Sequence, residues 1–126
     1  MTQSLEDYLE TILLLTEEKS VARVKDISEK MNVKKPSVVT ALKELENRNY
    51  IFHEKYGYIE LTTEGKSEAV MIFNKHKLLK RFLKDTLGVS EENSEKDACI
   101  IEHFLSDETL DRIDLFMKKN KGIQNG

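Results

Sequence analysis

The chain has 126 residues, of which 39% are hydrophobic and 34% charged, with one proline, five glycines and a net charge of −3 at pH 7. This describes a helix-rich globular protein of one domain or two small lobes, and it excludes a disordered or collagen-like chain. No apolar run approaches the roughly 18–20 residues of a membrane span. The N-terminal MTQSLEDYLE lacks the basic and apolar regions of a secretory signal, and the single Cys99 cannot form an internal disulfide, so a reducing cytoplasmic setting is expected.

Ser4 to Glu18 reads as a helix with Ser4 as its cap, because Leu5, Leu9, Ile12 and Leu13 recur at helical spacing. Val21 to Val24 suggests a short extended piece. A second helix, Val24 to Met31, turns Ile27 and Met31 inward, and Asn32-Val33-Lys34 forms a turn. A third runs from Lys35 to Asn49, with Pro36 in its first turn and Val38, Leu42 and Leu45 as its buried stripe.

Tyr50–Phe52 and Tyr58–Leu61 are β-prone and flank a turn containing Gly57, which predicts a hairpin. Thr62 or Thr63 caps a long fourth helix to Leu87, with Gly88 as its stop. A fifth helix spans Ser90 or Glu91 to Leu105. A sixth, capped by Ser106, ends near Lys119. The fold class expected is mainly α with a small β-hairpin. The expected division is 1–62 as a winged helix-turn-helix, 63–119 as a helical metal-binding and dimerisation region, and 120–126 as a flexible tail.

Charge is distributed unevenly. Residues 19–58 hold nine Lys/Arg against five Asp/Glu, whereas residues 85–116 hold two against ten. A basic helix–turn–helix followed by a hairpin is the order of a winged DNA-binding unit, in which the second helix presents its N-terminal residues to the major groove. Those residues are Lys34, Lys35, Pro36, Ser37, Thr40 and Lys43. Lysines suit phosphates or guanine, and hydroxyls suit phosphates or bases. Lys55 and Tyr56 fall at the hairpin tip, and Arg23 and Lys25 could add phosphate contacts. Scattered lysines on a helix pair also occur in proteins that never touch DNA, and winged helices also serve as protein-interaction modules.

In the acidic part, Cys99, Glu102 and His103 stand at i, i+3 and i+4, which on a helix gathers thiolate, carboxylate and imidazole on one face. Such a set suits a divalent transition metal. Asp7 and Glu10 share a similar i, i+3 spacing on the first helix, and His76 lies on the fourth. Taken singly, each has an ordinary alternative: a core cysteine, a solvated carboxylate, an interface histidine. An enzymatic reading would pair Cys99 with His103, but no Gly-rich phosphate loop, His-Glu-x-x-His or Cys-x-x-Cys accompanies them. A metal buffer without regulated DNA binding is a further alternative.

Several segments carry a resemblance: Leu5-Glu6-Asp7-Tyr8-Leu9-Glu10, Ala22-Arg23-Val24-Lys25-Asp26-Ile27, Lys35-Pro36-Ser37-Val38, Leu61-Thr62-Thr63-Glu64-Gly65, the stretch from His76 to Leu83, and Cys99-Ile100-Ile101-Glu102-His103 continuing to Asp107. Over about residues 4–117 the chain resembles the diphtheria-toxin-repressor and manganese-transport-regulator family. That resemblance implies a homodimeric, metal-activated repressor of metal-homeostasis genes binding a palindromic operator, in a short form without the SH3-like domain of longer relatives. It implies a metal site of Asp7, Cys99, Glu102 and His103, with Glu10 and His76 as further ligands. Asp7 and Glu10 match the manganese-type branch and Cys99 the iron-type branch. Lys80 replaces a carboxylate of the iron-type ancillary site, and Glu95 stands where a second histidine is usual. Oxygen-rich ligation favours Mn²⁺ or Fe²⁺, and the thiolate pulls toward Fe²⁺, Co²⁺ or Zn²⁺.

Overall fold

The computed structural model describes residues 1–54 and 57–124, with the side chains of residues 121–124 left aside. The expected hairpin-tip residues Lys55 and Tyr56 lie outside the described residues. Among the described residues, six α-helices and one two-stranded antiparallel hairpin follow in order: α1 Gln3–Lys19, α2 Val24–Met31, α3 Lys35–Asn47, β1 Ile51–His53, β2 Ile59–Leu61, α4 Thr63–Arg81, α5 Glu91–Ile101 and α6 Asp107–Gln124. The chain divides into two compact units, residues 1–72 and 73–126, with the boundary inside α4.

In the first unit, Leu9, Ile12 and Leu13 of α1, Ile27 of α2, and Val38, Leu42 and Leu45 of α3 are all buried. Burying such a side chain contributes roughly 1.5–3 kcal/mol, so this stripe supplies most of the unit's driving force. Thr2, rather than Ser4, caps α1: its hydroxyl accepts from Leu5 N at 3.2 Å, while Ser4 is already helical and exposed. Helix α2 keeps the expected bounds and ends on Asn32 in the left-handed region, which an asparagine tolerates. Its Ile27 is fully buried and Met31 half-buried.

The hairpin pairs Ile51 with Leu61 and His53 with Ile59, each strand starting one residue later than expected. Asn49 takes a left-handed φ of 61°, and Tyr50 N then closes back on Leu45 O at 3.0 Å while Tyr50 O accepts from Thr62 N, so the paired strand begins at Ile51. Ala22 bridges Ile59, so the extended piece before α2 ties the hairpin to the helices. Thr62 caps α4, accepting from Gly65 N at 2.9 Å and donating to Asn49 O at 2.7 Å.

In the second unit, Leu79, Ala98 and Leu110 form a core, against which Leu83, Ile101, Leu105 and Ile113 pack. The expected α-helix to Leu87 instead widens into a π-turn over Phe82–Thr86. Val89 N bonds to Leu83 O at 2.9 Å, one residue further back than an ordinary Schellman closure, and Gly88 supplies the positive φ of 71°. Helix α5 starts on the Ser90 cap as expected but stops at Ile101, four residues short of Leu105. Helix α6 starts after Ser106, whose hydroxyl accepts from Thr109 N, and continues past Lys119 to Gln124. Gly122 therefore does not end it.

Candidate metal centre and nucleic-acid interface

The sulfur, imidazole and carboxylate groups of the second unit converge around His76. This histidine comes from α4 and is 7% exposed. Its Nε2 lies 3.0 Å from Glu95 Oε2, its Nδ1 lies 3.2 Å from Glu102 Oε2, and Cys99 Sγ stands 3.7 Å from the same Nδ1. Cys99 and Glu95 are one turn apart on α5, with Sγ 3.9 Å from Oε1. Beyond Glu102, its Oε1 lies 3.4 Å from His103 Nε2, and both of those side chains are 2% exposed. Cys99 is on α5, Glu102 is its C-terminal cap residue, and His103 belongs to the turn that follows. His76 sits between the thiol and the carboxylate and joins them.

The electrostatics are strongly coupled. The Glu102 carboxylate raises the His76 pKa to about 9, overcoming the opposing effect of burial, and Glu95 adds to the rise. Burial pushes Glu95 up, but His76 and Lys80 together outweigh it and hold the carboxyl below its ordinary value. Lys80 Nζ reaches Glu95 Oε2 at 3.1 Å and Glu91 Oε1 at 2.7 Å, and Lys84 reaches Glu91 Oε2 at 2.6 Å. These two lysines, Lys80 first, depress Glu91 to about 2.

Two imidazoles, two carboxylates and a thiol are the donor types of a borderline transition-metal site. The buried Glu102 Oε2 approaches His76 closely but makes no aligned hydrogen bond, so it keeps acceptor capacity that a cation would use. The residues present fit a divalent ion. Asp7 and Glu10 lie on α1 in the first unit, half-buried, at i and i+3. Glu95, which the resemblance places where a second histidine is usual but which was not counted among the ligands, joins the cluster through His76. Its i, i+4 relation to Cys99 was the available signal.

On the first unit, Lys34, Lys35, Pro36, Ser37, Thr40 and Lys43 are all exposed at and after the start of α3, and Arg23 and Lys25 are exposed around the start of α2. Thr40 Oγ1 donates to Pro36 O at 3.1 Å. The Arg23 guanidinium stacks 4.6 Å above the Tyr58 ring and donates to its hydroxyl at 2.7 Å, which ties the base of the hairpin to α2. Val39, 36% exposed, adds an apolar side chain to α3 that the sequence reading did not single out.

Two family models account for nearly all of this chain. Residues 1–59 match the N-terminal DNA-binding domain of the iron-dependent repressors, and residues 62–122 match their metal-binding and dimerisation domain. The chain belongs to the iron-dependent repressor family. Among members of that family and their relatives, it is 40% identical over 122 residues to an uncharacterized HTH-type transcriptional regulator of Methanocaldococcus jannaschii, covering 96% of this chain and 98% of that one. It is 43% identical over 112 residues to the HTH-type transcriptional regulator MntR of Geobacillus kaustophilus, covering 89% and 79%. The solved structure of the manganese regulator SloR superposes with a TM-score of 0.81 at 32% identity, over 94% of this chain. The chain spans 55% of the SloR chain. The iron-dependent repressor fold is thus a winged helix with a helical metal-binding and dimerisation part, as the sequence suggested. This is a family of transcriptional regulators.

Proposed function

We propose that this protein is a metal-responsive DNA-binding repressor of manganese or iron homeostasis genes, acting as a cytoplasmic homodimer on a palindromic operator. The observation that carries this reading is the buried Glu102 carboxylate held between His76 and His103, in a domain matched to metal binding. The proposed ligands are Asp7, Glu10, His76, Cys99, Glu102 and His103. Mn²⁺ and Fe²⁺ are the first candidates from the oxygen donors, and Zn²⁺ and Co²⁺ are the alternatives that Cys99 admits.

A bound divalent ion supplies positive charge and fixed coordination directions. Asp7 and Glu10 belong to the helix that packs on α2 and α3, so their ligation is felt by the DNA-reading unit. An ion held by these carboxylates with Glu102 and His103 would offset charges that otherwise repel and would restrict the orientation of α3. Two such copies would present their α3 helices to major grooves about 34 Å apart. Shifting such an equilibrium from 1:99 to 99:1 takes about 5.5 kcal/mol of differential binding.

Exposed apolar side chains support the dimer. Leu87, Phe104, Leu115 and Phe116 are each between 46% and 71% exposed. An apolar groove of about 490 Å³ opens between Phe82, Leu87, Ile113 and Phe116. Isolated monomers seldom leave such surface uncovered. The reading gives Cys99 and His103 no catalytic role, and the protein is not an enzyme on this account. Among the described residues no helix is long and apolar enough to cross a membrane.

The test is fluorescence anisotropy on duplexes that the protein itself enriches from a random library, in Mn²⁺ and in EDTA. Affinity at least tenfold higher in Mn²⁺ is expected. Equal affinity in both would refute metal activation, and metal binding without any change in DNA affinity would favour the buffer alternative.

A further inference from the structure

Arg23 stands exposed at the N-cap of α2, and a ring from the hairpin holds it in place. Its guanidinium lies 4.6 Å from the centroid of the Tyr58 ring and donates to the Tyr58 hydroxyl at 2.7 Å. A long cationic side chain at a protein surface ordinarily samples many rotamers. A cation–π face and a hydrogen bond from one tyrosine leave this one a narrow range.

The backbone on both sides fixes the pair. Ala22 bridges Ile59, and Ile59 N donates to Ala22 O at 2.8 Å, so the residue before Arg23 is joined to the residue after Tyr58. Ala22 and Ile59 are both fully buried, which anchors the bridge. Asp26, one turn along α2, is the carboxylate that would otherwise capture the guanidinium. It is engaged elsewhere: its Oδ2 accepts from Arg23 N at 3.2 Å and its Oδ1 from Lys19 Nζ at 3.4 Å. Among the described residues no carboxylate lies within ion-pair distance of the Arg23 guanidinium. The fork is therefore oriented by an aromatic ring and kept from anionic side chains. In a helix-turn-helix the first helix crosses the sugar–phosphate backbone while the second enters the groove. Helix α2 is that first helix, and Lys25 is exposed two residues after Arg23. A planar guanidinium suits phosphate because it can bond two oxygens at once.

We propose that Tyr58 is a positioning residue for DNA binding: it holds the Arg23 guanidinium as a preset clamp for one backbone phosphate, so that the base of the hairpin contributes to affinity through Arg23. The inference rests on the DNA-binding role proposed above and assigns a part in it to a residue outside the expected contact set. A side chain already held in its binding geometry loses less conformational freedom when phosphate arrives. The tyrosine matters to DNA only while Arg23 is present.

The experiment is a double-mutant cycle on Arg23 and Tyr58, read by fluorescence anisotropy on duplexes enriched by the wild-type protein, over a range of salt and in Mn²⁺ or EDTA. Arg23→Ala should weaken binding about tenfold and lower the slope of log K against log salt by about 0.9, the value of one phosphate contact. Tyr58→Leu should weaken binding about fivefold with Arg23 present and less than about twofold in the Arg23→Ala background. Tyr58→Phe keeps the ring face and loses the hydroxyl, so it should fall between wild type and Tyr58→Leu. A tyrosine that merely folds the hairpin would cost the same affinity in both backgrounds. A Tyr58→Leu loss undiminished in Arg23→Ala therefore overturns the proposal, as does an affinity that is unchanged or higher without the tyrosine. The conservative Tyr58→Phe keeps the test valid should Tyr58→Leu unfold: full wild-type affinity and full Arg23 dependence of the salt slope in that variant would reject the hydroxyl's part in the clamp. Wild type that binds no duplex in a salt-dependent way removes both the repressor reading and the clamp. Coupling that is equal in Mn²⁺ and EDTA, with equal affinities, removes metal activation and leaves the clamp standing.

Discussion

His76 gives the metal-free protein a pH dependence that can be worked out from the geometry. Its pKa is about 9 in the fold, against about 6.5 in an unfolded chain. The 2.5-unit rise corresponds to about 3 kcal/mol at 1.36 kcal/mol per unit, and with the side chain only 8% exposed little is lost to solvent screening. Because the folded pKa is the higher one, the stabilisation is complete below pH 6.5 and disappears as pH climbs through 9. Urea melts in EDTA at pH 6, 7.5 and 9.5, run on wild type and His76→Gln, isolate the effect, since other titrating groups cancel in the difference. Wild type should exceed the variant by about 3 kcal/mol more at pH 6 than at pH 9.5. Metal binding runs the opposite way, because a ligating imidazole must lose its proton. At pH 7.5 that displacement costs about 2 kcal/mol, so metal affinity should rise with pH toward 9. A gap between wild type and variant that stays constant across the pH range would refute the Glu102–His76–Glu95 arrangement as the source.

Two further outcomes follow from the first unit. Gly65→Ala should destabilise the protein by more than about 3 kcal/mol in a urea melt, because the added Cβ runs into the Tyr50 carbonyl where the hairpin meets α4; a loss below 1 kcal/mol would show that the backbone yields there. Lys35→Ala with Lys43→Ala should lower the slope of log K for DNA against log salt by about 0.9 for each phosphate contact removed, and an unchanged slope would exclude these lysines from the interface.

The sequence was most legible where one side chain has one structural job. Helix α2 matched to the residue because Ile27 marks its buried face and Asn32 tolerates the left-handed cap. Thr62, Gly88, Ser90 and Ser106 punctuate the chain as read. The hairpin slipped by one residue because Asn49 occupies the left-handed region, and nothing in its neighbours' β propensity marks that. The end of α5 was hidden for a different reason. Ile101 and Leu105 both pack on the Leu79–Leu110 core, so the apolar period continues across the turn that breaks the helix. That break matters for the site. It makes Glu102 the cap residue of α5 and places His103 in the turn that follows. Glu95 was placed by the resemblance but not counted as a ligand, because its contact is with His76, nineteen residues earlier and on another helix.

The central claim is that carboxylates of α1 share a cation with Glu102 and His103. Anomalous diffraction at the manganese edge, on crystals of the full chain grown with Mn²⁺, tests it most directly. The account predicts one peak within bonding distance of Asp7 or Glu10 and of Glu102 or His103 together. A peak ligated from only one of those two groups, with the other facing water, would contradict it.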